Sequence, residues 1–380
     1  MIFDLQQDLI EDILLRVPVK SLRRLRSTCR GWYHQALFKD PRFIKKHFDK
    51  TARQYHALMV INSWVCSVRS VLDSSVLTTE TDLVLGGRIS PTVPNSDGAQ
   101  VDVSNAFHCD GILLCTEQEG NMLVAWNPFS GQTRWIQPHT RNYFGIYALG
   151  YDNKELFRNY KILRVPCRNG KLSVWEKLGV TPESDDLKPE IYEFSTNSWR
   201  SLDTITPQAF INTCGVSLKG STYWVSRGNG YSLLSFDFST ERFQPLCAPI
   251  GHDEPCRSGT MTLSVVGEER ISLFYQSNET RKVEIWMTDE IETTFVSWSK
   301  FLTVDNVHPS FSSFMSFFII DEEKKVILCC DEGWENLLVC FVVGEEEYIA
   351  TPSISVKDRR IWCLPYVYAP RLLGYVPKEL

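Results

Sequence analysis

The sequence predicts an α+β multi-domain chain, with a small helical module over residues 1–50 and an all-β propeller of about six blades over residues 51–380. Three observations predict this. Apolar residues recur at helical spacing near the N-terminus. After about Thr51 that period gives way to short apolar runs between clusters of Gly, Asn, Asp, Ser and Thr, which are strand and turn signals. An aromatic-bearing phrase then returns at intervals near 50 residues, as expected of stacked four-stranded units.

The bulk numbers agree. A chain of 380 residues has room for two to three domains, at roughly 100–200 residues each. With 43% hydrophobic and 12% aromatic residues it can build a packed core, which excludes wholesale disorder. Residues 1–60 carry 12 Lys/Arg against 6 Asp/Glu, and the remainder carries 28 against 40. A basic head on an acidic body implies different partners for the two parts. The twelve cysteines form no CxxC pair, and most sit in apolar runs such as Ile112-Leu113-Leu114-Cys115. They read as buried thiols, and with no signal peptide the expected setting is cytoplasmic or nuclear. The longest apolar stretches, such as Phe314 to Ile320, are far short of the roughly 18 residues that span a bilayer.

In the head, Leu9, Ile10, Ile13, Leu14 and Val17 share one helical face, with Asp8, Glu11, Asp12 and Arg16 opposite. The early acids suit the helix dipole, and Pro18 stops the segment. Ser21 is a candidate N-cap for a second helix carrying Leu22 and Leu25. A third runs from Thr28 to Phe38 with Trp32 on its apolar side, and a fourth starts near Pro41. So few short helices bury little surface alone, which favours an interaction module. Periodicity by itself leaves docking, helix-turn-helix DNA binding and simple packing onto the body all open.

Particular residues narrow the choice. The run from Asp8 to Leu22 (Asp-Leu-Ile-Glu-Asp-Ile-Leu-Leu-Arg-Val-Pro-Val-Lys-Ser-Leu), with Arg24 to Trp32 and Asp40-Pro41-Arg42-Phe43, resembles an F-box. The resemblance covers about residues 4–48. It implies docking onto an SKP-type adaptor, and through it onto a cullin–RING ubiquitin ligase, by Leu5, Leu9, Ile10, Ile13, Leu14, Pro18, Leu22, Leu25 and Trp32. Gln6 stands where F-boxes commonly have Pro, a departure that bears on adaptor affinity.

In the body, the phrase reads Trp126-Asn-Pro-Phe-Ser-Gly-Gln-Thr-Arg-Trp135, then Tyr192-Glu-Phe-Ser-Thr-Asn-Ser-Trp199, then Phe236-Asp-Phe-Ser-Thr-Glu-Arg-Phe243. A looser version runs from Trp286 to Trp298, and the weakest from Phe341 to Tyr348. With one further unit near His56 to Leu85, six blades are expected. Large aromatics fill the space between blades, so Trp126, Trp135, Trp199, Trp224, Trp286 and Trp298 read as packing residues rather than ligand contacts. True kelch repeats usually carry a Gly-Gly pair per blade. This chain has only Gly86-Gly87, so the repeat is kelch-like.

Cys109 to Cys115, Trp126-Asn127-Pro128, Tyr147 to Asp152, Tyr160 to Leu163, Leu233 to Phe238 and Ser297 to Phe301 resemble the F-box-associated domain (type 1) of plant F-box proteins. That resemblance spans roughly residues 95–376 and implies a substrate-binding platform.

Chemistry is sparse. There is no P-loop, nucleophile elbow or HExxH. His252-Asp253-Glu254 with Cys256 reads as a turn, and the seven histidines are too dispersed for a copper site. No catalytic, cofactor or metal residues are expected. The segments 176–190 and 305–313 read as long loops of the kind that carry specificity. The expected function is a non-catalytic substrate-recognition subunit of an SCF-type ligase, with an unknown target protein and neither nucleic acid nor membrane as partner. Two alternatives remain: a degenerate F-box scaffold with no ligase role, and a propeller enzyme with an unrelated helical extension.

Overall fold

The computed structural model describes residues 7–15 of the head and, with gaps in the connecting segments, residues 56–368 of the body. In the head it shows one helix, α1 (Gln7–Leu14). Helices expected beyond residue 15, and the ends of the chain, lie outside the described residues.

The body is a succession of antiparallel sheets. Strands β1 (His56–Ile61), β2 (Trp64–Arg69) and β3 (Val84–Ile89) open the first. The second is β4 (Val103–Cys109), β5 (Ile112–Glu117), β6 (Leu123–Trp126) and β7 (Thr133–Ile136). The third is β8 (Gly145–Asp152), β9 (Asn159–Pro166), β10 (Glu190–Glu193) and β11 (Ser198–Ser201). In the fourth, β12 (Phe210–Ile211) and β13 (Val216–Leu218) both pair with β14 (Ser221–Arg227), followed by β15 (Tyr231–Asp237) and β16 (Arg242–Cys247). The fifth is β17 (Gly259–Val266), β18 (Arg270–Ser277), β19 (Val283–Ile291) and β20 (Val296–Val304). In the sixth, β21 (Ser316–Asp321) and β22 (Val326–Glu332) lead to β23 (Leu337–Val343), which pairs with both β24 (Tyr348–Ala350) and β25 (Ile354–Ser355). Finally β26 (Ile361–Tyr368) returns to pair with β1 and completes the first sheet. Each order is sequential, so the architecture is propeller-like and mostly β, as expected. The closure of the first sheet by the last strand had no counterpart in the sequence reading.

The repeated phrase has a single structural meaning: it is the hairpin of the third and fourth strands. Tyr192 lies opposite Trp199 with ring centres 5.3 Å apart, and Phe236 opposite Phe243 at 4.8 Å. The polar turn is also conserved in geometry. Gly131, Asn197 and Glu241 all have positive φ, and each donates its N–H to the carbonyl four residues back, on Asn127, Glu193 and Asp237. Gly or Asn suits that left-handed position; Glu241 accepts its strain and gains two cationic partners described below. The hairpins between first and second strands use another device. Asp110-Gly111 and Lys219-Gly220 both have consecutive positive φ, the backbone of a two-residue turn matched to strand twist.

Both faces of the inner strands are buried, as apolar runs such as Ile112–Cys115 required, while the outer strands β11 and β16 are mostly exposed. The tryptophans pack as expected: Trp126 and Trp224 are buried, while Trp135, Trp199, Trp286 and Trp298 lie against the core clusters. Two of them also bridge neighbouring sheets. Trp199 Nε1 donates to the Gln137 carbonyl just past β7 (2.8 Å), and Trp298 Nε1 to the Cys247 carbonyl at the end of β16 (3.1 Å). Contact between the third and fourth sheets is close at Gly150, where a Cβ would come within 2.2 Å of the Phe238 ring.

The segment 305–313 has a role other than the one expected. Val307 and Phe311 are buried in the cluster between the fifth and sixth sheets. Gln276 donates to the Val307 carbonyl and accepts from the Phe311 N–H. Ser312 binds the Asp331 carboxylate through both its N–H and its hydroxyl. Its apolar residues are thus the wedge between two sheets. Of the segment 176–190, only its last three residues are described.

Candidate functional site

Two surfaces qualify, one on each part. On α1, Leu9 and Ile13 are 51% and 48% exposed, while Leu14 is 1% exposed and Leu15 also buried. Leu9 and Ile13 are one turn apart, so they form an uncovered aliphatic stripe on a helix that buries Leu14. Of the expected docking residues, the structure therefore places Leu9 and Ile13 outward and Leu14 inward. Ile10 contributes its backbone to the helix. Leu5, Pro18, Leu22, Leu25 and Trp32 lie outside the described residues.

In the body, topology sorts the connections between two rims. In an up-and-down sheet, the turns after the first and third strands share one rim, and all other connections share the opposite one. The first rim carries Asp110-Gly111, Lys219-Gly220 and the repeated turns. It is also where the head joins, because β1 is the second strand of its sheet and His56 lies opposite Tyr368. The second rim holds the ends of the long connections: Pro166 and Glu190, Cys247 and Gly259, Val304 and Ser316.

Each rim has an ionic anchor. On the second, Arg164 and Glu190 form a fully buried pair at 2.9 Å across β9 and β10, with Tyr147 alongside, its hydroxyl pKa raised by burial. On the first, Lys161 and Arg200 both reach Glu241, at 2.8 and 2.5 Å, tying the third sheet to the fourth. Burial alone would raise the Glu241 carboxyl, but the hydrogen bonds and charge of Arg200 and Lys161 together hold it below the usual range. Nearby, Asp110 accepts from Tyr160 Oη at 2.6 Å and is paired with Arg158, which stacks over Tyr151.

Down the axis the first strands crowd together. β4 meets β26, β8 and β13, and β17 meets β13, β21 and β26. Ser217 Oγ lies 3.1 Å from Cys109 Sγ, joining β13 to β4. Among the described residues no group of three or more His, Cys, Asp or Glu is placed to hold a metal. The cluster at His252 to Cys256 lies outside those residues.

One cavity of about 580 Å³ lies between the fourth and fifth sheets at the first rim. Tyr223, Ser235, Asp237 and Arg242 line one wall, and Ile291 to Thr294 the other. Sequence reading missed this site. The signal was present in the loose phrase Trp286–Trp298, whose spacing differs from its neighbours.

Comparison with known families decides what the two parts are. An F-box domain model matches residues 2–42, and an F-box associated beta propeller domain model matches residues 56–378. The chain belongs to the F-box-associated family of plant F-box proteins. Putative F-box protein At3g17560 of Arabidopsis thaliana is 48% identical over 100% of this chain and 97% of its own length. Putative F-box/kelch-repeat protein At1g62270 of the same plant is 40% identical, over 97% and 95%. Among solved structures, the Cps50 (Swd1) β-propeller domain of Myceliophteria thermophila gives a TM-score of 0.41 at 9% identity, covering 81% of this chain and 89% of that one. The outward stripe of Leu9 and Ile13 thus belongs to the F-box, and the sheets to the F-box-associated propeller. An F-box next to a propeller is the make-up of a substrate-recognition adaptor, a family of typically non-enzymatic proteins.

Proposed function

We propose that this chain is the substrate-recognition subunit of an SCF-type cullin–RING ubiquitin ligase. The F-box docks an SKP-type adaptor, and a propeller of six blades, closed by pairing of β26 with β1, holds the target protein. The observation that carries this reading is the joint match of both domains over nearly the whole chain, together with the uncovered Leu9–Ile13 stripe. The ligase function needs no chemistry from this chain; it raises the local concentration of target lysines near the charged ubiquitin-conjugating enzyme. Crowding of the inner strands supports the non-catalytic reading over a channel-lined enzyme. The five cysteines whose side chains are described are free thiols, four of them buried, which suits action in the cytosol or nucleus.

The test is a pull-down of purified SKP-type adaptor with the full chain and with an Ile13→Asp/Leu22→Asp double variant. Wild type is expected to capture the adaptor, and the variant to lose at least tenfold in affinity, as burying a carboxylate in an apolar contact requires. Absence of wild-type binding refutes the ligase role. Equal binding by both refutes the assigned surface.

A further inference from the structure

The junction between the fourth and fifth sheets departs from the packing that the repeat uses elsewhere. Across the third–fourth hairpins, Trp199, Phe243 and Trp298 lie opposite Tyr192, Phe236 and Thr288. Two residues after Tyr192 and Phe236 come Phe194 and Phe238, both buried. Each wedges against the preceding sheet: Phe194 packs under the Arg134 guanidinium (5.2 Å), and Phe238 against Gly150. In the fifth sheet a register shift between Thr288 and Glu290 leaves Asp289 unopposed, so the wedge position passes to Ile291, opposite Val296. Ile291 is only half-buried and smaller than a phenyl ring. The cavity of about 580 Å³ opens where the ring is missing, and its size is within the roughly 300–1,000 Å³ of ligand sites.

Strand register gives the cleft a direction. Leu218, Ser221, Asp237 and Arg242 form one row across β13, β14, β15 and β16, from the axis to the outer edge. Three strand spacings of about 4.8 Å make that row about 14 Å long. Leu218 at its inner end is buried, as are Tyr223 and Ser235 in the next row of the same wall. Arg242 at the outer end is exposed, and so are Lys219, Thr240 and Glu292 around the mouth. The polar groups in between are engaged. Asp237 accepts from the Ser239 N–H (2.7 Å) and the Thr240 hydroxyl (2.9 Å), Ser235 donates to the Gln244 carbonyl, and Ser221 bonds the Tyr223 hydroxyl. Arg242 is different. Although it lies opposite Asp237 in register, its side chain makes no ion pair and no hydrogen bond among the described residues. A planar set of free donors thus stands at one end of the row, and an aliphatic pair, Leu218 with Ile291 across the cleft, marks the other.

We propose that this cleft holds an extended segment of the target protein that carries one carboxylate side chain and, four residues away, one apolar side chain. This rests on the adaptor reading above and names the class of segment recognised. The carboxylate takes the Arg242 guanidinium through two parallel N–H···O bonds, and the apolar side chain reaches the Leu218–Ile291 end. Residues four apart in an extended chain are about 13 Å apart and point to the same face, which matches the length of the row. The lining has room for one negative charge. Asp237 keeps its own charge and Glu292 stands on the opposite wall, so Lys219 and Arg242 leave no surplus for a dianion such as a phosphate. The body beyond residue 60 has 40 Asp/Glu against 28 Lys/Arg, so its overall field does not draw an acid in. Selection acts at short range, through the free guanidinium.

The test is fluorescence anisotropy on the full chain with a labelled, end-capped Leu-Ser-Thr-Ser-Glu peptide. Counter-probes replace its Glu by Gln, Lys or phosphoserine, or its Leu by Ser. The Leu…Glu peptide is expected to bind, and each counter-probe to bind about tenfold more weakly or worse, as loss of a charge-assisted pair or of a buried aliphatic side chain implies. Arg242→Gln is expected to weaken the Glu peptide by about tenfold and to leave the Gln peptide unchanged. The thermal midpoint of that variant stays where it is, because Arg242 is exposed. No binding by the Glu peptide, equal or tighter binding by any counter-probe, or equal weakening of the Glu and Gln peptides by Arg242→Gln overturns the proposal. Capture of the adaptor, scored in parallel, separates the two readings. A wild-type chain that binds peptide but not adaptor refutes the ligase role and leaves the cleft standing, and one that captures adaptor but not peptide refutes the cleft alone.

Discussion

His108 shows how a single side chain is fixed by its turn. It precedes Cys109-Asp110-Gly111, and the Gly111 N–H donates to its Nε2 at 3.0 Å, a bond that only an unprotonated nitrogen accepts. Burial pushes its pKa down from 6.5 to about 4. Between those values the unfolded chain takes up a proton that the folded chain refuses, so this residue makes stability fall as pH drops from about 6.5 towards 4. Because the residue as a whole is only partly buried, the loss is on the order of 1–2 kcal/mol. His108→Gln, which retains an acceptor, is expected to flatten that part of the profile. Urea midpoints of wild type and variant at pH 7 and pH 4.5 check it, and parallel losses in the two proteins would sink the account. In the sequence, His108 reads as the start of a strand; it is instead the penultimate residue of β4 (Val103–Cys109), and nothing local announced the bond to Gly111.

Among elements, the third–fourth strand hairpin is the unit the sequence announced best. Aromatics at its two ends and a polar turn between were visible in three phrases because turn chemistry and strand alternation are local properties. What the indoles do across sheets was not visible, since it depends on contacts roughly 50 residues away. Trp298→Phe and Trp199→Phe each remove a donor from a neighbouring sheet's carbonyl, and each is expected to cost about 1 kcal/mol. Trp135 offers the contrast: its Nε1 is buried with no partner among the described residues. Trp135→Phe sheds that desolvation cost and should be the mildest of the three. Thermal midpoints give the ranking, and a Trp135 variant worse than both others would refute the bridging role. The segment 305–313 teaches the opposite lesson from the hairpins. Its Pro, Ser and Asn content marked a loop, while the insertion of Val307 and Phe311 between two sheets lay beyond any local pattern.

At the scale of the molecule, the two-part layout and the repeating sheets were legible from the change of period near Thr51. The closure was not, because nothing in Ile361–Tyr368 marks it as a partner for His56–Ile61. On the docking side, Ile13 is exposed on α1. The inward turn of Leu14 could not be read from a helical wheel that placed both on one apolar face. Removing residues 361–380 is expected to leave β1 with a bare edge and the ring open. The truncated chain should then associate while wild type stays dispersed, a difference that light scattering measures directly. Equal scattering from the two would mean that β26 is dispensable.

Pairing the first strand of the body with the last also sets a schedule for the ribosome. Some 300 residues separate the two partners, and at roughly 5–20 residues per second the edge of β1 waits about 15–60 s for its neighbour to be made. During that interval the head is already outside the exit tunnel and the body has a vacancy in its first sheet. The nascent chain therefore carries an unpaired strand edge, open to wrong partners, until β26 has been made.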